Sequence, residues 1–472
     1  MTTDLPPCVD QTRQLPPTSV LRRMDAPGPR YTSYPTADRF EAFDADELSH
    51  ALARRRQLDE SGAATPLSVY IHIPFCESVC YYCACNKVIT KHHERAAPYL
   101  DALGQEIDLV TEAIGPQRSV AQLHLGGGSP TFLTDPELGT LMLRLRQSFY
   151  LTPDAEISIE VDPRTVTAAR LAHLRTLGFN RISFGIQDFD PGVQEAVHRV
   201  QSFESVRDLV FQARALGFAS INADLIYGLP RQTPESFART IAQVAELRPD
   251  RIALYAYAHL PERFKPQRRI ELAALPAPVA RVAMLAAAMS GFQAQGYDYI
   301  GMDHFALPDD PLAIARREGR MQRNFQGYST HADCDLVGLG VSSIGWIGGS
   351  YYQNDKTLPE YYAALEAGRL PVARGLTMDS DDVVRREIIM ALMCHGRVEF
   401  SEIERRHGLR MREAFGDELA RLAPLRDDGL VTLEDDAIVV TGTGWYLVRA
   451  VALVFDRYLR DSAARDRFSR IV

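Results

Sequence analysis

Between about residue 60 and residue 260 the chain alternates short apolar runs with longer amphipathic ones. The runs at 67–73, 120–125, 156–161, 180–186, 220–226 and 251–257 have the length and the β-branched, apolar character of strands. The stretches between them, at 95–115, 136–149, 165–177, 204–216 and 234–247, carry helical patterns and are long enough to serve as crossovers. Strand–helix alternation predicts a parallel sheet with helices outside it. Six such units predict a partial six-stranded (β/α)6 barrel rather than a closed eight-stranded one.

Outside this region the patterning changes twice. Residues 1 to about 20 are polar and proline-containing and read as a flexible arm. Next comes Gly28-Pro29-Arg30-Tyr31-Thr32-Ser33-Tyr34-Pro35-Thr36, whose prolines forbid a regular helix or an interior strand and whose tyrosines predict an extended strap packed on the protein. A proline-rich connector spans 261–280 and an alanine-rich helix 281–297. From about residue 378, helical patterns at 381–395, 400–407 and 411–424 precede two short strands, 430–433 and 437–440. These are joined by a Glu434-Asp435-Asp436 turn and followed by a helix from about 443 to 459. Three helices and a two-stranded wing predict a mostly helical, winged-helix-like domain. The expected division is an N-terminal arm over 1–60, the barrel and its extension over 61–370, and the C-terminal domain over 371–472.

Composition narrows the function class. Of 472 residues, 46% are hydrophobic and 24% charged, as in an ordinary globular protein, and the formal net charge is −9. That balance argues against a nucleic-acid partner, since such proteins carry a basic excess. The winged-helix-like region repeats the point: seven arginines face eight acidic residues between Arg397 and Asp428, with no basic stripe. No run of eighteen apolar residues predicts a membrane span. Residues 1–17 lack the apolar core of a signal peptide, which predicts the cytoplasm.

The densest chemistry follows the first strand. Four of the seven cysteines, Cys76, Cys80, Cys83 and Cys85, fall within ten residues, just after Pro74 ends the apolar run 67–73. Thiolates select zinc, copper(I) or iron–sulfur iron. A structural zinc site asks for a second, separated ligand pair, and Cys8, Cys334 and Cys394 are isolated. A redox pair Cys80–Cys83 leaves Cys76 unexplained. Cys76, Cys80 and Cys83, in C-x3-C-x2-C spacing, suit a cluster with three protein ligands and one open iron. On spacing alone, zinc and redox chemistry remain the competing readings.

Strand ends are the second signal, because ligands in parallel α/β barrels sit at the C-terminal ends of strands. Strand one leads to the cysteines and strand two to Gly126-Gly127-Gly128-Ser129-Pro130. Strand three ends at Glu160-Val161-Asp162, strand four leads to Gln187, strand five contains Asp224, and strand six ends near 255–258. The glycine run is not a dinucleotide loop, since Thr131 breaks G-x-G-x-x-G and Pro130 precedes it. Glycines here would let a ligand approach the backbone. Asp224, flanked by apolar residues, is expected to face inward and to need a partner. Arg316, Arg320 and Arg323 are expected on one helical face, either solvated or as a clamp for carboxylates.

The C-x3-C-x-aromatic-C signature, with Tyr82 as the aromatic, resembles that of the radical S-adenosylmethionine enzymes. The preceding Tyr70-Ile71-His72-Ile73-Pro74-Phe75, the extra Cys85 and the 28–36 arm resemble the oxygen-independent coproporphyrinogen III oxidases of haem biosynthesis. The resemblance implies one 4Fe-4S cluster on Cys76, Cys80 and Cys83, and two molecules of S-adenosylmethionine. It implies that Tyr70, Gly127, Glu160 and Ile344 contact the cluster-bound one. Tyr82, Gly128, Ser129, Gln187, Arg199, Asp224 and Ala258 would contact the second. It places Glu160, Phe325 and Gln326 in supporting catalytic roles. Tyr82 and Ser129 depart mildly from the family's frequent Phe and Thr. The implied reaction converts two propionates of coproporphyrinogen III to vinyls through a 5′-deoxyadenosyl radical, giving protoporphyrinogen IX. The implied partners are that substrate and an unidentified reductant, with no membrane or nucleic acid, in a monomer. The competing functions are a related radical methyltransferase and a haem-trafficking chaperone of similar barrel sequence.

Overall fold

Strand β1, Leu67–Ile73, has its alternate residues Val69, Ile71 and Ile73 fully buried, and the sheet grows from it. Ser119–Gly127 (β2), Tyr150–Val161 (β3), Arg181–Gln187 (β4), Ser220–Tyr227 (β5) and Arg251–Ala256 (β6) follow, each parallel to the one before. The computed structural model describes residues 16–24, 26–60, 65–331, 334–460 and 468. They fall into two units that interleave along the chain. The sheet unit is Phe40–Ala277 with Asp333–Thr377, and the other is Met1–Arg39, Pro278–Ala332 and Met378–Val472.

The helices between the strands are Ala96–Ile114, Asp135–Ser148, Ala168–Thr176, Phe203–Ala215 and Pro234–Leu247. Four of them start on a hydroxyl cap: Thr134, Thr167, Ser202 and Thr233 each accept a backbone N–H of the first turn. Such caps contribute about 1 kcal/mol each and fix where each crossover leaves its loop.

The sheet is larger than the six strands expected. Asp335–Leu339 (β7) pairs parallel with β1 on its other side. An antiparallel ribbon continues through Ile344–Ile347 (β8), Ser350–Asn354 (β9) and Val372–Thr377 (β10) to Glu41–Ala42. The segment 335–339 carries no clear strand signal because Gly338 interrupts its short apolar run. Arg55, buried on helix Ala45–Glu60, pairs with Asp335 at 2.7 Å and secures the start of β7.

In the other unit, the 28–36 segment is packed down, as its tyrosines predict. Tyr31 and Tyr34 are fully buried, Tyr31 donates to Asp456 at 3.1 Å, and Arg449 Nε donates to Pro29 O at 3.0 Å. Residues 1–15, part of the expected flexible arm, lie outside the described residues. Helices Ser380–His395 and Phe400–His407 form as expected. The pattern at 411–424 resolves into three pieces, Met411–Ala414, Gly416–Arg421 and Ala423–Asp427. Gly416 and Pro424 weaken a continuous helix there. The final helix is only Val448–Leu453, flanked by two 3-10 turns. The wing gains a third strand, giving the order Arg397–Glu399, Ala437–Val440, Val431–Leu433. The arginine face is also corrected. The helix ends at Arg317, Arg320 is exposed and paired with Glu318, and Arg323 lies buried on a strand, Gln322–Asn324. Among the described residues no helix is long and apolar enough to cross a membrane.

Candidate active site

A parallel sheet buried on both faces reads as continuous hydrophobic runs. This one alternates. Val69, Ile71, Leu123, Leu125, Ile159, Ile182, Phe184, Ile221 and Ala223 are buried on one face. In register between them, Tyr70 pairs with His124 and His124 with Ser158; further along, Glu160 pairs with Ser183 and Ser183 with Asn222. These residues share the opposite face and bond to one another. Tyr70 stacks on His124 with ring centroids 5.7 Å apart. His124 Nδ1 lies 2.6 Å from Ser158 Oγ and Nε2 lies 3.3 Å from Glu160 Oε1. Ser183 Oγ and Asn222 Nδ2 donate to Asp224 at 2.8 and 2.9 Å. Burial pushes Asp224 up to about 6, with Glu160 nearby acting in the same direction. The partner expected for Asp224 is therefore this Ser–Asn pair.

The cysteine loop and the glycine loop are joined at the strand ends. Gly128 N donates to Ile73 O and Ser129 N to Phe75 O, both at 2.8 Å. A Cβ on Gly128 would come within 2.7 Å of the carbonyl oxygens of Pro74 and Phe75, so only glycine fits. Gly127 adopts φ +117°, and its N–H donates to Glu160 Oε2 at 3.2 Å. Gln187 leaves β4 at φ +67°, a conformation that costs a non-glycine residue about 1–2 kcal/mol.

Charge gathers around the sulfurs. Arg164 Nη2 lies 3.6 Å and Arg199 Nη1 3.5 Å from Cys80 Sγ. Asp162 accepts from both arginines, and although burial opposes it, they hold its carboxyl below the usual range. Burial, then the neighbouring Cys83 and Cys80 sulfurs, push the Cys76 thiol up to about 12. The Cys85 thiol beside Cys83 holds Cys83 well below the ordinary thiol range, with Lys87 acting in the same direction. Arg199 Nε is buried and has no hydrogen-bond partner among the described residues. Three mutually interacting thiols ringed by cations, a cradle that excludes side chains and an orphaned guanidinium N–H fit an iron–sulfur cluster and a polar ligand beside it. Among the described residues, no three His, Cys, Asp or Glu side chains converge on a single-ion site. A cluster spreads its ligands over separate corners and does not ask for that convergence.

The strand-end set Tyr70, Gly127, Gly128, Ser129, Glu160, Gln187, Arg199 and Asp224 thus lies within one unit with Cys76, Cys80 and Cys83. Tyr82 is there too, packed on the Val193, Val197, Ile226, Leu229, Tyr257 and Ile270 cluster. Ile344 begins β8, and its carbonyl oxygen would lie only 2.4 Å from a Cβ on Gly338, the residue in register with Tyr70. Ala258 follows β6. Phe325 and Gln326 belong to the other unit, at the turn between Gln322–Asn324 and Gly327–Ser329. Sequence reasoning missed His124, Ser158, Ser183 and Asn222, whose signal was the alternation in Leu-His-Leu and Ile-Ser-Ile-Glu. It also missed Gln267, which is buried and donates to Tyr82 O at 3.0 Å and Ala258 O at 3.2 Å. Its signal was weak, since it sits in a proline-rich connector.

Residues 70–244 match the family model described as the Radical SAM superfamily, and residues 378–447 match the HemN C-terminal domain. The chain is 50% identical over 456 residues to an oxygen-independent coproporphyrinogen III oxidase of Pseudomonas aeruginosa, covering 96% of this chain and 98% of that protein. It is 46% identical to the one from Escherichia coli, with the same coverage of each. A solved structure reported as coproporphyrinogen III oxidase (HemN) from Escherichia coli, a radical SAM enzyme, superposes with a TM-score of 0.89 at 45% identity. That match covers 95% of this chain and all of the other. This chain belongs to the oxygen-independent coproporphyrinogen III oxidase family.

Proposed function

We propose that the protein catalyses oxidative decarboxylation of two propionate side chains of coproporphyrinogen III to vinyls, yielding protoporphyrinogen IX in haem biosynthesis. The observation that carries this reading is the joining of the three-cysteine loop to a glycine cradle and a polar sheet face, in a chain half identical to such an oxidase. Cys76, Cys80 and Cys83 would hold a 4Fe-4S cluster, with S-adenosylmethionine bound beside it. When bound, this pair supplies the radical that takes a hydrogen from each propionate.

The protein's own groups bind, orient and shield. Gly127 would let the methionine portion of the cluster-bound cofactor approach the backbone. Glu160, supported by His124, would accept hydrogen bonds from it, and Tyr70 and Ile344 would contact it. Tyr82, Gly128, Ser129, Gln187, Arg199, Asp224 and Ala258 would hold a second molecule, for which the orphaned Arg199 Nε is the natural donor. Phe325 and Gln326 take supporting catalytic roles. The parallel strands curve into a partial barrel. The chain divides into an N-terminal arm over 1–60, a catalytic region over 61–370 and a winged-helix-like segment over 371–472 that does not bind DNA. The enzyme acts as a cytoplasmic monomer fed by an external reductant.

The test is an anaerobic incubation of the reconstituted protein with coproporphyrinogen III, S-adenosylmethionine and a reductant, followed by separation of the oxidised porphyrins. Vinyl-bearing protoporphyrin is expected. Intact coproporphyrin with S-adenosylmethionine still cleaved would mean a different radical substrate. Stoichiometric haem binding without turnover would mean a chaperone.

A further inference from the structure

None of the roles above uses Arg164. It lies in the 3-10 turn Pro163–Thr165, immediately beyond the end of β3, where Asp162 caps the turn. Its guanidinium clasps that cap, with Nε 3.0 Å from Oδ1 and Nη2 2.6 Å from Oδ2, and Nη2 also reaches Cys80 Sγ at 3.6 Å. Arg199 meets the same sulfur at 3.5 Å and the same carboxylate at 3.1 and 3.2 Å, and is anchored on Gly185 O at 2.6 Å. One thiol therefore receives two guanidinium donors, and one carboxylate orients both. Two positive charges and one negative leave a net positive charge beside Cys80. Arg164 is only 20% exposed and Asp162 14%, so solvent screens this charge weakly.

We propose that Arg164 is a positioning residue that sets the reduction potential of the cluster through Cys80. The inference rests on Cys80 being a cluster ligand. Reduction places one further electron on the cluster and its sulfurs. A charged hydrogen bond to a ligating sulfur stabilises that reduced form more than the oxidised one and raises the potential. Asp162 moderates the effect by neutralising part of the charge; it also fixes the direction of the Arg164 fork, a role the amide oxygen of an asparagine would keep.

Wild-type, R164Q, R164K and D162N proteins are reconstituted anaerobically and assayed for iron and sulfide. The electron paramagnetic resonance signal of the reduced cluster is then titrated against potential, without cofactor or substrate. In R164Q the reduced-to-oxidised ratio at a fixed potential should fall about tenfold, a midpoint about 59 mV lower for one electron. R164K keeps the charge and should shift less. D162N removes the counter-charge and should shift the other way, which general damage to the loop would not do. A fully loaded R164Q with the wild-type midpoint overturns the inference. If R164Q takes up less iron, D162N decides, and an unchanged or lowered midpoint there overturns it equally. A wild-type protein that takes up no cluster overturns the underlying assignment of the cysteines, and does so before any variant is compared.

Discussion

Glu106 and Glu160 belong to the same unit and have opposite surroundings. Glu106, on helix Ala96–Ile114, is 1% exposed and saturated. Gly340 N donates to it at 2.7 Å, Asn354 Nδ2 at 2.5 Å and Tyr361 Oη at 2.6 Å. Next to it Tyr99 donates to His72 O at 2.6 Å and accepts from Val341 N at 3.2 Å. This clasp ties the helix to the turn after β7 and to β1, and no oxygen of Glu106 faces outward. Glu160, at the end of β3, has a side chain 43% exposed, and among the described residues its hydrogen-bond contacts are the long ones of 3.2 and 3.3 Å. A saturated buried carboxylate holds a fold together, whereas an undersaturated one at a strand end has capacity left for a ligand.

The comparison can be broken at several points. The largest effect is expected at the strand ends themselves: Cys83→Ala should lose the cluster and all turnover, read by iron content and porphyrin analysis. Gly128→Ala comes next. Its Cβ would press on the carbonyls of Pro74 and Phe75, costing roughly 1–3 kcal/mol and lowering iron uptake, read by thermal melting and metal assay. Glu160→Gln should leave melting near wild type while raising the KM for S-adenosylmethionine about tenfold, the size of one charge-assisted hydrogen bond. A melting loss with an unchanged KM would make Glu160 another Glu106.

The smallest signal belongs to Glu106, and it is a slope. Burial raises its carboxyl from 4.5 to about 7 even though its three donors oppose the shift. The native state therefore holds a proton that the unfolded chain releases above about 4.5. Glu106's contribution to stability should be full below that pH, decline as pH rises through about 7, and stay flat above it. Glu106→Gln should remove this part of the slope in denaturant titrations across that window and leave the KM for S-adenosylmethionine alone.

The same contrast explains what was legible in the sequence. Strand β1 and helix Pro234–Leu247 fall where the pattern put them, because a buried run and an amphipathic helix are local signals. The cysteines, the glycine run and Glu160 were legible because their chemistry is rare in a core. Strand β7 was not, since its pairing with β1 spans more than 250 residues of sequence and glycine dilutes its apolar run. The arginines at 316, 320 and 323 were misread because a single helical period was extended past the end of the helix at Arg317. Glu106 left no trace at all, because a lone Glu in a helix looks solvated until its three donors arrive from 340, 354 and 361.

The strand ends beside the cysteines are proposed to form one site for a cluster and its organic cofactor. Electron paramagnetic resonance of the reduced, reconstituted protein, recorded with and without S-adenosylmethionine, tests it most directly. The account predicts a 4Fe-4S signal that changes shape when the cofactor is added, with the change requiring higher cofactor concentrations in Glu160→Gln than in Glu106→Gln. A signal indifferent to S-adenosylmethionine in the wild-type protein would contradict it.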